Sequence, residues 1–195
     1  AYLLASTAST PIWGKISDLY GRKIMLQAAI VIFLAGSLLA GASTSMGMLI
    51  VTRGIQGLGG GGLMVLVLAV IADIIPPRDR GRYTGLFGGV FAVASVAGPL
   101  LGGFFVDNLS WRWIFYINLP IGIAAFLVIT AVLQVPKHKV NHTVDYLGAV
   151  LLVSGVSLLL LVVEGGGNRY DWTSAIIIGM SVATIVLLTA FVLRQ

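Results

Sequence analysis

Long uncharged segments fill most of the 195-residue sequence. Six runs of eighteen or more residues carry no charged side chain: 24–52, 54–72, 83–106, 113–136, 146–163 and 172–193. An apolar helix of about twenty residues spans the hydrocarbon core of a bilayer. The pattern predicts an all-α integral membrane protein, a multi-pass bundle with helices at 1–13, 24–42, 48–73, 83–106, 113–134, 146–163 and 173–193. We expect 1–13 to be the end of a truncated span, and the chain to be an internal piece of a longer protein.

Composition supports a membrane protein. Hydrophobic residues make up 58% of the chain and charged residues 10%, whereas soluble domains carry about 25% charge. The 25 glycines suit lipid, where small residues let helices approach closely. The absence of cysteine excludes disulfides and thiolate metal sites. His138 and His142 fall in one polar segment; a metal site there is conceivable, but two solvated histidines are the favoured interpretation.

Basic residues predict the orientation of the spans. The segments 14–23, 76–82 and 135–145 and the C-terminal end hold Lys15, Arg22, Lys23, Arg78, Arg80, Arg82, Lys137, Lys139 and Arg194. The alternate segments 43–47, 107–112 and 164–172 hold only Arg112 and Arg169. The positive-inside rule makes the first set cytoplasmic, which accounts for the net charge of +5 without a nucleic-acid partner. The outer interface then carries Trp111, Trp113, Tyr116, Tyr170 and Trp172.

The polar segment 14–23 has the spacing G-x-x-x-D-x-x-G-R-K, formed by Gly14, Asp18, Gly21, Arg22 and Lys23. Its glycines predict a tight turn between helices. Anchoring by positive charge explains the bases but leaves Asp18 and the complete spacing unexplained. The pattern resembles the signature loop between helices 2 and 3 of the major facilitator superfamily.

Three further motifs extend this resemblance in the same order along the chain. Arg53-Gly-Ile-Gln56-Gly57 resembles the helix-4 motif of the superfamily, and Gly98-Pro99-Leu-Leu-Gly102-Gly103 resembles the helix-5 motif of its antiporter branches. The segment 111–120, WRWIFYINLP, is similar to one in the fourteen-helix drug:proton antiporters.

The order and spacing of the four motifs imply that the chain corresponds to helices 2 to 8 of such a protein. Residues 1–134 would form the N-terminal transporter half, 135–145 a cytoplasmic linker, and 146–195 the inserted helices 7 and 8. The acidic helix-1 motif of the branch and its C-terminal half have no counterpart in the chain.

The resemblance implies a proton-coupled efflux antiporter that exports amphipathic drugs or other small organic molecules by alternating access. It would be a secondary active transporter, not an enzyme, with no cofactor beyond the proton gradient. Its partners would be lipid, a small-molecule substrate and its own C-terminal half, in a plasma membrane, the bacterial inner membrane being favoured. Two alternatives stay open: a uniporter or symporter of a polar nutrient, and a non-transporting sensor or scaffold. An embedded enzyme would need paired acids, a Ser/His pair or a metal cluster at membrane depth, and the sequence offers none.

Arg53 lies near the outer end of its predicted helix. A charge within a span costs about 2.5–3.5 kcal/mol on insertion scales and usually faces a cavity or a partner. Helical spacing places Arg53 on one face with Gln56, Gly57, Gly60 and Met64. We expect this face to serve proton coupling at the transport cavity, with the titrating carboxylate on the helix 1 that the resemblance implies. The alternative is that Arg53 extends to the outer interface.

Asp73 ends the same predicted helix about 30 Å from Arg53, so the two cannot pair. It lies level with the segment 14–23. We therefore predict a cytoplasmic gating cluster of Asp18, Arg22 and Asp73 that locks one arrangement of the helices. The alternative is an interfacial acid beside Arg78 and Arg80.

The predicted helix 83–106 carries a stripe of small residues at spacings of three and four: Gly85, Gly88, Ala92, Ser95, Pro99 and Gly102. Such a stripe marks close helix packing, and Pro99 is expected to kink the helix. We predict that this seam seals the transport pathway against the other half of the protein. The run Gly59–Gly62 lacks the Lys-Ser/Thr of a phosphate-binding loop and lies within a span, which excludes nucleotide binding. Glu164 is given no role.

Overall fold

The computed structural model describes residues 1–134 and 146–194. The predicted linker 135–145, with Lys137, His138, Lys139 and His142, lies outside the described residues. The described chain is helical, with the following elements: α1 (Tyr2–Tyr20), α2 (Arg22–Gly41), α3 (Met46–Ile74), α4 (Arg80–Asn108), α5 (Trp113–Tyr116), α6 (Asn118–Val132), α7 (Tyr146–Gly165) and α8 (Ala175–Arg194).

Within residues 1–134 and 146–194, six segments are long and apolar enough to cross a membrane: Arg22–Gly41, Met46–Ile74, Arg80–Asn108, Trp113–Val132, Leu147–Gly165 and Ala175–Arg194. They confirm the prediction of an all-α membrane bundle. The predicted span 1–13 belongs to α1, which carries Lys15 and Asp18 in its second half and is not among these six.

The predicted loop at 14–23 is wrong in its extent. Residues 14–20 continue α1, and the chain turns at Gly21 alone, with φ 96° and ψ 139°. This left-handed φ is open to glycine at no steric cost. Gly14 is helical and does not form part of a turn. Lys15 and Asp18 suggest a loop by their charge, but a helix can project beyond the apolar layer without changing its backbone.

Close backbone approach holds α3 against α2. A Cβ added at Gly59 would lie 2.7 Å from the Ala29 carbonyl oxygen and 2.8 Å from Phe33 Cα, so no larger residue fits there without movement of the backbone. Next to this contact lies a small buried core of Leu26, Ala29, Ile30 and Leu66. The glycines of α3 therefore position its polar face within a tightly packed group of helices.

Side-chain donors on α1 bond to the exposed backbone of α3. Ser9 Oγ donates to the Leu58 carbonyl at 3.2 Å, and Trp13 Nε1 donates to the same carbonyl at 2.7 Å. The Thr10 hydroxyl shares its proton between the Gly61 carbonyl at 3.1 Å and the Ser6 carbonyl of its own helix at 2.8 Å. Glycine leaves backbone oxygens open to a neighbouring helix, and in lipid such hydrogen bonds between helices add to the packing. The helices α1, α2 and α3 thus form one packed unit.

The connections that follow α2 and α4 meet at the opposite end of the bundle from Gly21. Arg112 Nη2 donates to the Ser43 carbonyl at 3.1 Å, and its guanidinium lies 4.7 Å from the Trp111 ring centroid. The predicted span 113–134 is divided at Ile117 into α5 and α6. Pro120 accounts for this division, because it has no N–H to donate to the Tyr116 carbonyl.

α4 differs from α3 in having no buried residue. The helix is continuous through Pro99, so the expected kink does not interrupt it. Gly85, Gly88 and Gly102 have no atom of another element within 4 Å of an added Cβ. Within the described residues, the stripe of small side chains faces no packed neighbour. The predicted seam against another part of the protein stays a prediction.

α7 and α8 form a hairpin that is attached to the rest of the bundle through α1. Gly155 of α7 packs against Leu188 of α8. Gly166 and Tyr170 form an isolated β-bridge in the connecting turn, which places Trp172 over Gly166 and Gly167.

Candidate functional site

Two polar groups lie at opposite ends of α3, and the sequence predicted both. The first surrounds Arg53, two turns into the helix. The second surrounds Asp73, next to its last residue, Ile74. They bring together side chains from helices that are distant in sequence.

Arg22 is the centre of the second group, the predicted gating cluster of Asp18, Arg22 and Asp73. Its Nη2 lies 2.5 Å from Asp18 Oδ1, and its Nε lies 3.1 Å from Asp73 Oδ2. The same guanidinium donates to Ser17 Oγ and, at 3.3 Å, to the Gly14 carbonyl. One cation therefore joins α1, α2 and α3.

The surroundings of the cluster show which basic residue pairs with Asp73. The Arg22 side chain is 19% exposed, against 31% for Asp73 and 46% for Asp18. Arg80 does not pair with Asp73 but donates to the Ala72 and Ile75 carbonyls, at 2.5 and 3.0 Å. The carboxylate thus bonds to a helix-connecting arginine, and Arg80 caps the end of α3.

Lys23, the last residue of the signature spacing, turns away from the cluster. Its Nζ donates to the Thr130 carbonyl of α6 at 2.8 Å, and Gln27 Nε2 donates to Thr130 Oγ1 at 2.7 Å. The two adjacent bases, Arg22 and Lys23, therefore tie α2 to different neighbours.

Arg53 is held from three sides. Its Nη1 donates to Gln56 Oε1 at 2.6 Å. The guanidinium carbon lies 4.4 Å from the ring centroid of Tyr2 and 5.6 Å from that of Phe115. Gln56 lies three residues further from the N-terminal end of α3, about one helical turn away. No carboxylate in 1–134 or 146–194 forms an ion pair with Arg53.

The predicted coupling residues take different positions. Arg53 lines an open cavity of about 390 Å³ whose wall includes Tyr2, Met46, Ile50 and Glu164. Gln56 is 1% exposed. Gly57 is also buried, and a Cβ added there would lie 3.0 Å from Ala5 Cβ. Gln56 thus bonds to Arg53 from within the packed unit, Gly57 packs against α1, and of these three residues only Arg53 lines the cavity.

The glycine-proline segment of α4, which resembles an antiporter motif, lies apart from both groups. Gly98, Gly102 and Gly103 have open space around an added Cβ, and Pro99 stands among them on the same helix. The structure does not bring this motif to the Arg53 cavity or to the gating cluster.

Several residues around Arg53 were missed by sequence reasoning. Tyr2 and Phe115 supply its aromatic faces, and Ser37 and Asn118 bond to the network behind Gln56. Asn118 and Phe115 belong to a quoted motif, which could have indicated them. Ser37 carries no such signal, because a serine in an apolar run resembles a packing residue.

Similarity to known proteins covers nearly the whole chain. Residues 1–193 match the Major Facilitator Superfamily. Multidrug resistance protein 3 of Bacillus subtilis (strain 168) is 42% identical over 98% of the chain and 37% of its own length. Multidrug transporter protein MdtP of the same organism is 40% identical over 100% of the chain and 36% of its own length.

A relative from a second organism shows similar identity and coverage. Efflux pump dotC of Dothistroma septosporum is 43% identical over 98% of the chain and 34% of its own length. The chain spans about a third of the length of these curated relatives. The matched range, the membrane-length helices and the four motifs agree, and the chain belongs to the Major Facilitator Superfamily.

Proposed function

We propose that the chain forms the N-terminal half and inserted helix pair of a proton-coupled efflux antiporter for amphipathic organic molecules. The single observation that carries the proposal is Arg53, a cation inside a membrane span that is held by an amide and two aromatic rings. The names of the relatives, a multidrug resistance protein, a multidrug transporter and an efflux pump, favour export over uptake.

The surroundings of Arg53 suggest how a proton couples to transport. A cation at membrane depth is costly unless it is neutralised or faces water. Gln56, Tyr2 and Phe115 orient the guanidinium but do not neutralise it. We propose that a carboxylate outside this chain approaches Arg53 when deprotonated and moves away when protonated. Proton and substrate then compete for one region, which produces antiport.

The cavity beside Arg53 supports an amphipathic substrate. Its wall is mostly apolar, from Leu3, Met46 and Ile50, with Arg53 and Glu164 as charged groups. Its volume of about 390 Å³ lies within the range of about 300–1,000 Å³ that is usual for small-molecule sites. Apolar walls with few polar groups give loose recognition, as expected for export of varied compounds across a plasma membrane.

The gating cluster provides the second element of the mechanism. Arg22 joins three helices through two carboxylates, an arrangement that is either made or broken as the helices move. We propose that it stabilises one cytoplasmic arrangement and opens during the cycle. Transport by Asp18→Asn tests this role, and a turnover equal to that of the wild type would contradict it.

The experiment for the function uses the full-length protein that carries this chain, reconstituted in liposomes with a lipophilic cationic dye such as ethidium. An imposed pH gradient is expected to drive dye against its concentration gradient, with counterflow of protons. Arg53→Gln should reduce gradient-driven transport by about tenfold or more, and Arg112→Gln serves as the matched arginine control.

Three outcomes would contradict the proposal. Equal transport with the proton gradient collapsed would indicate a uniporter, and co-directional proton and substrate flow would indicate a symporter. No transport of any tested compound, with correctly inserted protein, would favour a sensor or scaffold.

A further inference from the structure

A buried polar network lies next to Arg53 and connects four helices, α2, α3, α5 and α6. We call it the Ser37 network; it consists of the Ser37 hydroxyl, the Gln56 amide, the Asn118 amide and the Phe115 carbonyl. Ser37 Oγ donates to the Phe115 carbonyl at 2.9 Å. Gln56 Nε2 donates to Ser37 Oγ at 3.0 Å, and Asn118 Nδ2 donates to the same oxygen at 3.1 Å. Ser37 is 0% exposed and Gln56 1%.

The network has a fixed direction. A serine hydroxyl has one proton to donate, and at Ser37 that proton is used on the Phe115 carbonyl. The Ser37 oxygen can therefore only accept from its two amide neighbours. Gln56 must present its NH₂ group to Ser37, which leaves its carbonyl oxygen facing Arg53. The amide orientation that suits a cation is set by Ser37 and not by Gln56 alone.

Phe115 belongs to the arrangement in two ways. Its backbone carbonyl is the terminal acceptor of the Ser37 hydroxyl, and its ring lies 5.6 Å from the Arg53 guanidinium. The carbonyl and the ring both belong to the short helix α5. This helix ends just before Ile117, the residue that separates α5 from α6. A shift of α5 would change the acceptor of the network and the aromatic face of Arg53 together.

A role in helix packing alone does not explain the donor-to-acceptor order of the Ser37 network. The hydrogen bonds of Thr130 also join α2 to α6, and they end on the Phe126 carbonyl of α6 itself. The Ser37 network instead ends on a cation that lines a cavity. A chain of buried hydrogen bonds in which every polar group is satisfied rigidifies the group at its end.

We propose that Ser37 is a positioning residue for Arg53. By accepting from Gln56, it holds the Gln56 carbonyl toward the guanidinium and links the orientation of Arg53 to α5. Asn118 supports the same oxygen with a second hydrogen bond. The position of Arg53 follows from the geometry alone; only its consequence for transport rests on the proposed function.

The test measures the chemical accessibility of Arg53 in the full-length protein in membranes. Phenylglyoxal reacts with guanidinium groups, and mass spectrometry of the peptides gives the rate at Arg53 and, as an internal reference, at Arg112. Ser37→Ala should raise the rate at Arg53 by about fivefold, the change expected from losing one net hydrogen bond. Ser43→Ala is the matched control, because Ser43 is 2% exposed and its hydroxyl bonds only to the Ala40 carbonyl.

A second variant separates positioning from packing. Glu at position 56 presents an acceptor oxygen to Arg53 in either orientation, so Gln56→Glu on the Ser37→Ala background should restore a slow rate at Arg53. If Ser37 serves only packing, the double variant should keep a fast rate at Arg53, because the carboxylate introduced at position 56 is then buried without its Ser37 neighbour. Should Ser37→Ala fail to accumulate in the membrane, Asn118→Ala keeps Ser37 and Gln56 and should raise the rate by about twofold.

An unchanged rate at Arg53 in Ser37→Ala and Asn118→Ala overturns the inference, as does a failure of Gln56→Glu to restore it. The pH dependence of dye transport distinguishes this result from the proposed function. Ser37→Ala should shift the profile in the same direction as Arg53→Gln. If the rate rises but Arg53→Gln leaves transport unchanged, Ser37 positions Arg53 and the coupling role of Arg53 is wrong.

Discussion

α3 and α4 have the same length and the same glycine content but opposite environments. Each has 29 residues and seven glycines. In α3, five glycines would bring an added Cβ within 4 Å of other helices, namely Gly57, Gly59, Gly60, Gly61 and Gly62. In α4, no glycine has such a neighbour among the described residues, and no residue is buried.

The difference shows what a glycine stripe does and does not specify. A small-residue face allows close approach, but the stabilisation comes from the helix that fills it. α1 and α2 fill the face of α3 and bring donors to its backbone, for example Ser9 and Thr10. No described helix fills the face of α4, and we expect a part of the full-length protein outside this chain to fill it.

The largest expected effect comes from filling one of the closed sites. Gly59→Ala forces a Cβ against the backbone of Ala29 and Phe33 and should lower the free energy of unfolding by about 3 kcal/mol, the upper range for overpacking. Gly54→Ala, in the same helix but with open space around its Cβ, should raise stability by up to about 1 kcal/mol. Thermal unfolding in detergent measures both, and equal effects would show that α3 is not closed at Gly59.

The effect of filling the α4 face on stability should differ between residues 1–195 alone and the full-length protein. Gly102→Leu in residues 1–195 should raise the free energy of unfolding by up to about 1 kcal/mol, because nothing lies within 4 Å and a glycine inside a helix is replaced. In the full-length protein the same change should cost about 2 kcal/mol and abolish gradient-driven transport. Denaturant titration of both forms provides the comparison, and identical small effects would remove the argument for a seam.

Removing a carboxylate should lower the stability at α3 but not at α4. Asp73→Asn at the end of α3 removes an ion pair with Arg22 and should lower stability by about 1 kcal/mol, the usual upper value for a partly exposed pair. Asp79→Asn, before α4, removes a side chain that makes no capping hydrogen bond and should have almost no effect. Equal losses in the two variants would show that Arg22 does not tie the three helices together.

The smallest effect is expected for a single hydrogen bond between helices. Thr130→Val removes the acceptor of Gln27 and should cost about 0.6 kcal/mol, the average for such bonds in a membrane protein. Thr84→Val in α4 is the control, because the Thr84 hydroxyl bonds only to the Arg80 carbonyl of its own helix. A double-mutant cycle with Gln27→Ala isolates the pair, and a coupling of zero would contradict it.

Much of the fold could be predicted from the sequence, because a long uncharged segment indicates a membrane-spanning helix. The cluster of Asp18, Arg22 and Asp73 could be predicted from the expected depth of each residue in the membrane. The three residues lie at the same end of successive antiparallel helices, and opposite charges at the same depth can form ion pairs. The extent of α1 could not be predicted in this way, since Lys15 and Asp18 indicate where the apolar layer ends and not where the helix ends.

The surroundings of Arg53 were only partly predictable. Gln56 is one helical turn away and follows from spacing alone. Ser37 and Asn118 are separated by 81 positions, and their meeting depends on how closely α2 approaches α3 and α6. The open face of α4 was also beyond prediction, because a stripe of small residues has the same pattern whether or not a helix covers it.

The most direct test of the central claim is the oxygen accessibility of a nitroxide at position 102, introduced as Gly102→Cys and measured by electron paramagnetic resonance. The chain contains no other cysteine. We predict high accessibility to lipid-dissolved oxygen in residues 1–195 and low accessibility in the full-length protein, where a partner helix covers the seam. The same high accessibility in both forms would contradict the account.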